Sequence, residues 1–246
     1  MTSKLTRRTR SLAAITGVTL AQLLLVTPAL ADTATPEPPA SPPAIAMDDV
    51  FLVILGITIT IFILVGGWLL YSAIRFRERP ENADIEPPQM HGSTKLEIGW
   101  TIVPILIVLG LAGYTAAKLP DTVDAPADSM VIHVRAQQFS WTVIYPDGRK
   151  PPAADAAKYT LIAPVDTPVK LELTSKDVIH DWWVPELGAK IDVFPYRTTS
   201  TWFKAEHTGL FRGQCAEFCG SGHSTMLINV LVVSRDRFDQ MMSGGA

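Results

Sequence analysis

Three uninterrupted apolar blocks occupy the first half of the chain, and a different rhythm takes over after Lys118. The first block follows Lys4, Arg7, Arg8 and Arg10, runs to Val26 and closes on Ala29-Leu30-Ala31, the pattern of a cleaved secretory signal. Residues 1–31 are therefore expected as a signal peptide. Residues 32–48, rich in Pro and Ala with no apolar period, read as a flexible lead outside the membrane. The second block, Val50 to Ile74, carries no charge, and as a helix it would measure about 37 Å at about 1.5 Å per residue, enough to cross a bilayer. The third, Ile98 to Ala117, is just long enough to span, with Pro104 as a kink. Transmembrane helices are thus expected over 49–75 and 97–118. Arg75, Arg77 and Arg79 crowd the end of the first span while Asp48 and Asp49 precede it, so the loop 76–96 is expected in the cytoplasm and both chain ends outside.

From residue 119 to 246 the apolar positions fall into short runs of period two, broken by Pro, Gly and Asp. Ile132 and Val134 alternate with His133 and Arg135, and Val169, Leu171 and Leu173 with Lys170, Glu172 and Thr174, which marks two half-buried strands. Further strands are expected at Trp141–Tyr145, Tyr159–Ile162, Thr199–Lys204 and Leu227–Val233, with a turn at Pro146-Asp147-Gly148. This spacing predicts an all-β sandwich or Greek-key barrel.

Composition changes this picture little. The formal charge of -3 gives no support to a nucleic-acid partner, and there is no internal repeat, phosphate-binding glycine loop or Cys-x-x-Cys-His haem attachment. Only two cysteines occur, Cys215 and Cys219, too few for a disulfide scaffold.

Their surroundings carry the chemistry. In Gly213-Gln214-Cys215-Ala216-Glu217-Phe218-Cys219-Gly220-Ser221-Gly222-His223-Ser224-Thr225-Met226, two thiols, an imidazole and a thioether fall close together, all ligands suited to a soft metal. One Cys, one His and one Met with an upstream His would describe a mononuclear blue-copper site. Two thiolates on a tight loop can instead bridge two coppers, each ended by one His. The second His is best sought at His180, which follows Val178-Ile179 and leads into Asp181-Trp182-Trp183, aromatics that would exclude water. His91, His133 and His207 read as surface residues. A disulfide between the cysteines ignores the nearby His and Met, and zinc leaves Met226 without a role, although Met226 could be core packing.

The pattern Cys-x-Glu-x-Cys-x-x-x-His-x-x-Met, together with Glu97-Ile98-Gly99-Trp100-Thr101-Ile102-Val103-Pro104 at the second span, resembles cytochrome c oxidase subunit 2. The resemblance covers essentially the whole mature chain. It implies a two-helix transmembrane hairpin plus an all-β cupredoxin-like Greek-key sandwich over 119–246, set in a bacterial cytoplasmic membrane among lipid. The N-terminus and the sandwich would lie in the periplasm. It further implies a binuclear copper centre, called CuA, in which Cys215 and Cys219 bridge two copper ions, His180 and His223 bind one each, Met226 is a weak ligand and Glu217 gives its backbone carbonyl. The Glu217 side chain would hold a magnesium ion shared with subunit 1, and Glu97 would sit at the mouth of a proton path. Electrons would come from cytochrome c, or another periplasmic donor, and pass to haem groups in subunit 1, where oxygen is reduced and protons are pumped. The other oxidase subunits are the remaining implied partners, and no catalytic residue belongs to this chain.

Two departures bear on the donor. The family's Gln-Trp-Tyr-Trp is here Gln138-Phe139-Ser140-Trp141, so Phe139 stands where the resemblance puts the electron-accepting Trp, beside Trp141. Ile144 replaces a family carboxylate, while Asp177 and Asp192 fall at acidic docking positions, and Tyr196 replaces a glycine. The same ligands would also serve a nitric oxide reductase or, without the Glu97 segment, a membrane-anchored copper-binding protein. The quinol-oxidase branch, by resemblance, has lost the copper ligands kept here.

Overall fold

A computed structural model describes residues 38–81, 89–146, 148–149, 153–188 and 190–243. The expected signal peptide lies outside the described residues.

Helix α1 (Pro42–Arg75) opens on two prolines, whose fixed φ and missing N–H suit a first helical turn. Helix α2 (Thr94–Val123) contains Pro104, as expected, and Pro120. The two helices run in opposite directions, because Lys118 Nζ near the end of α2 meets Asp49 Oδ2 near the start of α1 at 2.7 Å. Along both, large apolar side chains such as Phe62, Trp68, Leu70 and Leu109 stand exposed. Both helices are long and apolar enough to cross a membrane. Surfaces of that kind are stable only against hydrocarbon or another protein.

The lead is where the sequence reading needs correction. Residues 42–48 belong to α1, not to a flexible segment, and the residues just before them are held by the β domain. Ala40 N donates to Glu186 O at 2.8 Å, Glu206 N donates to Ala40 O at 3.0 Å, and the Ser41 hydroxyl donates to Leu187 O. Ala40, Ser41, Pro43, Ala44 and Ala46 are buried as a result. Small residues that looked like linker composition are small because backbone comes close. Likewise α2 extends beyond 97–118 at both ends, and the β domain begins after it.

The β domain is a sandwich of two sheets. One has the order β2-β1-β4-β7 and the other β3-β9-β8-β5-β6. The strands are β1 (Met130–Gln137), β2 (Ser140–Ile144), β3 (Leu161–Pro164), β4 (Val169–Ser175), β5 (His180–Trp183), β6 (Ile191–Val193), β7 (Thr199–Phe203), β8 (Gly209–Cys215) and β9 (Leu227–Val233). Alternation does what it predicts in β1 and β4: Ile132, Val134, Leu171 and Leu173 are fully buried between the sheets, while His133 and Lys170 face outward. Each residue fully buried in this way contributes about 1.5–3 kcal/mol relative to exposure. The expected strand at Tyr159–Ile162 is shifted to Leu161–Pro164. Strands β5, β6 and β8, a short helix α3 (Ala153–Ala156) and a last helix α4 (Arg235–Ser243) were not expected. Helix α4 contributes Phe238, Met241 and Met242 to the core.

Strand β3 lies at a sheet edge, and its backbone finds its partner in a side chain. The buried Tyr145 hydroxyl donates to Ile162 O and accepts from Ile162 N, each at 2.9 Å. Burial pushes the phenol up to about 12, with the Ile162 backbone pulling it back, so it stays protonated and able to donate. Tyr145→Phe is expected to destabilise the chain by about 1–3 kcal/mol, since buried backbone groups lose their partner. Thermal unfolding followed by tryptophan fluorescence measures this, and an unchanged midpoint would contradict it.

Candidate metal centre

One end of the sandwich gathers the soft side chains. Strand β8 ends on Cys215 and β9 begins after Met226, and Cys215 N donates to Met226 O at 2.9 Å, closing the base of the loop between them. Within it Cys215 Sγ and Cys219 Sγ stand 3.8 Å apart as free thiols, not a disulfide. His180 Nδ1 lies 3.8 Å from Cys215 Sγ, His223 Nδ1 3.6 Å from Cys219 Sγ, and Met226 Sδ 3.8 Å from Cys219 Sγ. The Glu217 carbonyl oxygen is 3.3 Å from Cys215 Sγ. His180 comes from the neighbouring strand of the same sheet, where β5 pairs with β8 and sets Trp182 opposite Cys215. Ligand atoms of His180, Cys215 and Cys219 all lie within 4.8 Å of one another, close enough to hold one metal ion.

The donor set fits a soft metal. Two thiols share the centre, one imidazole stands on each flank, and a thioether and a carbonyl close the set, an arrangement suited to copper. A four-coordinate zinc site would leave the thioether idle. Burial, followed by the neighbouring Cys215, pushes the Cys219 thiol up to about 11, so a metal binding there would have to displace its proton.

The two flanks differ. His180 is completely buried, and its Nε2 lies 2.9 Å from Asp177 Oδ1. Desolvation opposes ionisation of Asp177, but the Gln138 N–H, the His180 ring and the Val178 N–H hold its carboxyl down at about 2. His223 sits in a 3-10 turn, half-buried, edge-on to Phe218, which is 78% exposed. Trp141 contacts both His180 and Trp182 edge-on, with centroids 6.0 and 5.1 Å away.

Phe139 packs against the metal loop. A Cβ on Gly222 would come within 2.5 Å of its ring, and one on Gly220 within 3.2 Å, so two glycines make the bed on which the aromatic lies. Asp192 is exposed on β6, opposite Asp181. Asp181 itself was missed by sequence reasoning. It is buried beside His180, and its Oδ1 has no hydrogen-bond partner among the described residues. Burial and then the Asp192 carboxylate push it up to about 6, Lys190 pulls it back, and Glu217 adds to the rise. The only sequence signal was a charge inside the apolar stretch Val178 to Val184. Glu97 lies apart from all of these, in the first turn of α2 at the end of the hairpin away from the Asp49–Lys118 pair.

A membrane-anchored β-sandwich with a buried thiol, imidazole and thioether cluster at one end is a cupredoxin-like protein on a two-helix hairpin. Residues 153–233 match the family described as "Cytochrome C oxidase subunit II, periplasmic domain" and residues 34–117 its "transmembrane domain". Cytochrome c oxidase subunit 2 of Cereibacter sphaeroides is 31% identical over 237 residues, covering 82% of this chain and 77% of the relative. That of Alkalihalophilus pseudofirmus is 36% identical over 177 residues, 69% of this chain, and the match spans only 50% of that longer relative. A solved periplasmic domain of subunit II from Bradyrhizobium japonicum is 33% identical, covers 49% of this chain and 96% of that chain, and has a TM-score of 0.44. The chain belongs to the cytochrome c oxidase subunit II family, and its two long apolar helices make it a membrane-anchored member.

Gly222→Ala is expected to cost about 1–3 kcal/mol through overpacking against Phe139, and less in a Phe139→Leu background. Denaturation of the single and double variants checks the coupling, and equal losses in both backgrounds would exclude the contact.

Proposed function

We propose that this chain is the electron-accepting subunit of its oxidase, with Cys215 and Cys219 bridging two copper ions in the manner of CuA. The observation that carries the reading is the thiol pair 3.8 Å apart with one imidazole beside each sulfur. His180 and His223 would each bind one copper, Met226 would be a weak ligand, and the Glu217 carbonyl would complete the set. When bound, the copper pair is a one-electron carrier between a donor outside the membrane and the haem groups of subunit 1, where oxygen is reduced and protons are pumped.

The chain's own residues set the conditions for that carrier. The loop base and the sandwich core exclude water from the thiols, and a rigid site of this kind needs little rearrangement when its charge changes. Phe139 and Trp141 cover the centre on the side of the β1–β2 turn and would form the path by which electrons come in. The exposed Glu217 side chain would hold a magnesium ion at the boundary with subunit 1. Glu97, in the first turn of α2, would stand at the mouth of a proton path. The orientation is read from Arg75, Arg77 and Arg79: the loop after α1 faces the cytoplasm and the β domain the periplasm. Residues 1–31 would be removed as a signal peptide.

The purified full-length chain is expected to bind two copper ions and to be coloured by thiolate-to-copper charge transfer. Cys215→Ser or Cys219→Ser should abolish the pair, whereas Met226→Leu should keep it with an altered reduction potential. Metal analysis and visible spectra decide: zinc, or one copper per chain at full loading, would refute the reading.

Acidic and basic side chains nearly cancel across the β domain, and Ile144 is exposed where a family carboxylate is expected. Val178, Ile179 and Tyr196 add exposed apolar area nearby, Tyr196 being 97% exposed. The association rate with a basic soluble cytochrome c should therefore depend only weakly on salt. Stopped-flow reduction across ionic strengths tests this. A near-diffusion-limited rate at low salt that falls steeply would show that the remaining carboxylates steer the donor.

A further inference from the structure

Asp177 stands at a docking position by resemblance, yet both of its oxygens are engaged by neighbouring groups of this chain. Oδ1 accepts from Val178 N at 2.7 Å and lies 2.9 Å from His180 Nε2, while Oδ2 accepts from Gln138 N at 2.8 Å. The ring of His180 is fully buried, and a hydrogen on Nε2 given to this carboxylate would leave the Nδ1 lone pair facing Cys215 Sγ, 3.8 Å away. The turn that bears the carboxylate is braced in its own right, because Ser175 Oγ donates to Val178 O at 2.6 Å. The second oxygen reaches a different element. Gln138 begins the β1–β2 turn, and its side-chain Nε2 donates to Cys219 O at 2.6 Å, so the residue that Asp177 holds also grips the metal loop beside Phe139.

We infer that Asp177 is a positioning residue of the metal centre, orienting the His180 ring through one oxygen and fixing the Gln138-Phe139 turn to the Cys219 loop through the other. It is not a freely presented docking charge. The inference rests on the copper reading above. Carboxylate–histidine–metal arrangements fix the tautomer and rotation of the ring and raise its basicity as a ligand. Asp192, which resemblance places in the same docking role, differs in kind: both residues are exposed, but the hydrogen bond of Asp192 is made by its backbone carbonyl, which accepts from Thr199 Oγ1.

The test compares Asp177→Asn, Asp177→Glu and Asp192→Asn in the full-length chain, each loaded with copper. Copper content, visible and electron paramagnetic resonance spectra, and copper retention against a chelator are measured. Both Asp177 variants are expected to alter the spectra and to hold copper about 10- to 100-fold less tightly, even though Asp177→Glu keeps the charge. Asp192→Asn is expected to match wild type. Should Asp177→Asn fail to fold, Asp177→Glu carries the comparison. Wild-type spectra and retention in the Asp177 variants, or the same change in Asp192→Asn, would overturn the inference. A wild-type chain that takes up no copper overturns the copper reading as well, whereas an intact wild-type site indifferent to these substitutions overturns only the role of Asp177.

Discussion

The hydrogen bond from Cys215 N to Met226 O is the constraint on which the metal end depends. It pins the two ends of the loop together where β8 hands over to β9, so everything between must turn within a closed span. The side chains in that span have few places to go. His223 and Met226 gather on Cys219, and Cys219 on Cys215, because the loop cannot open, and Gln138 and Phe139 close it from above. Glycine at 220 and 222 is what lets the cover sit so close. Rigidity here comes from backbone geometry, and the thiols, imidazole and thioether inherit it.

How legible this was depended on distance along the chain. The Cys215 to Met226 group could be read directly because its members are neighbours in sequence, and the long apolar helices because length and lack of charge suffice. His180 was harder. It is 35 residues from Cys215 and was singled out only by its apolar and aromatic neighbours. Strand β8 was illegible as a strand: it carries two glycines and an arginine, and it forms because β9 and β5 pair with it on both sides. A side chain at Gly213 would collide with the Trp183 carbonyl, which is a tertiary fact with no local signature. The same holds for Asp177 and Asp181, whose roles follow from what surrounds them in space.

The two imidazoles are not equivalent. His180 is sealed in the sandwich and answers to a carboxylate, while His223 lies in a surface turn beside an exposed phenylalanine. A symmetric pair of metals would therefore sit in an asymmetric shell. One end is governed by a fixed hydrogen bond, and the other lies beside an aromatic ring open to its surroundings.

The stretch from Ala40 to Ala46 gives the last consequence. A membrane protein whose outer domain hangs on a linker lets that domain sample a range of heights and tilts, and any distance to a buried acceptor becomes an average. Here the start of α1 is stitched into the β domain by backbone hydrogen bonds on both sides of Ala40, and α2 leads into the same domain through Val123. Two attachments in place of one remove the swivel. The distance from the thiol pair to the apolar hairpin is thereby written into the fold as a fixed length.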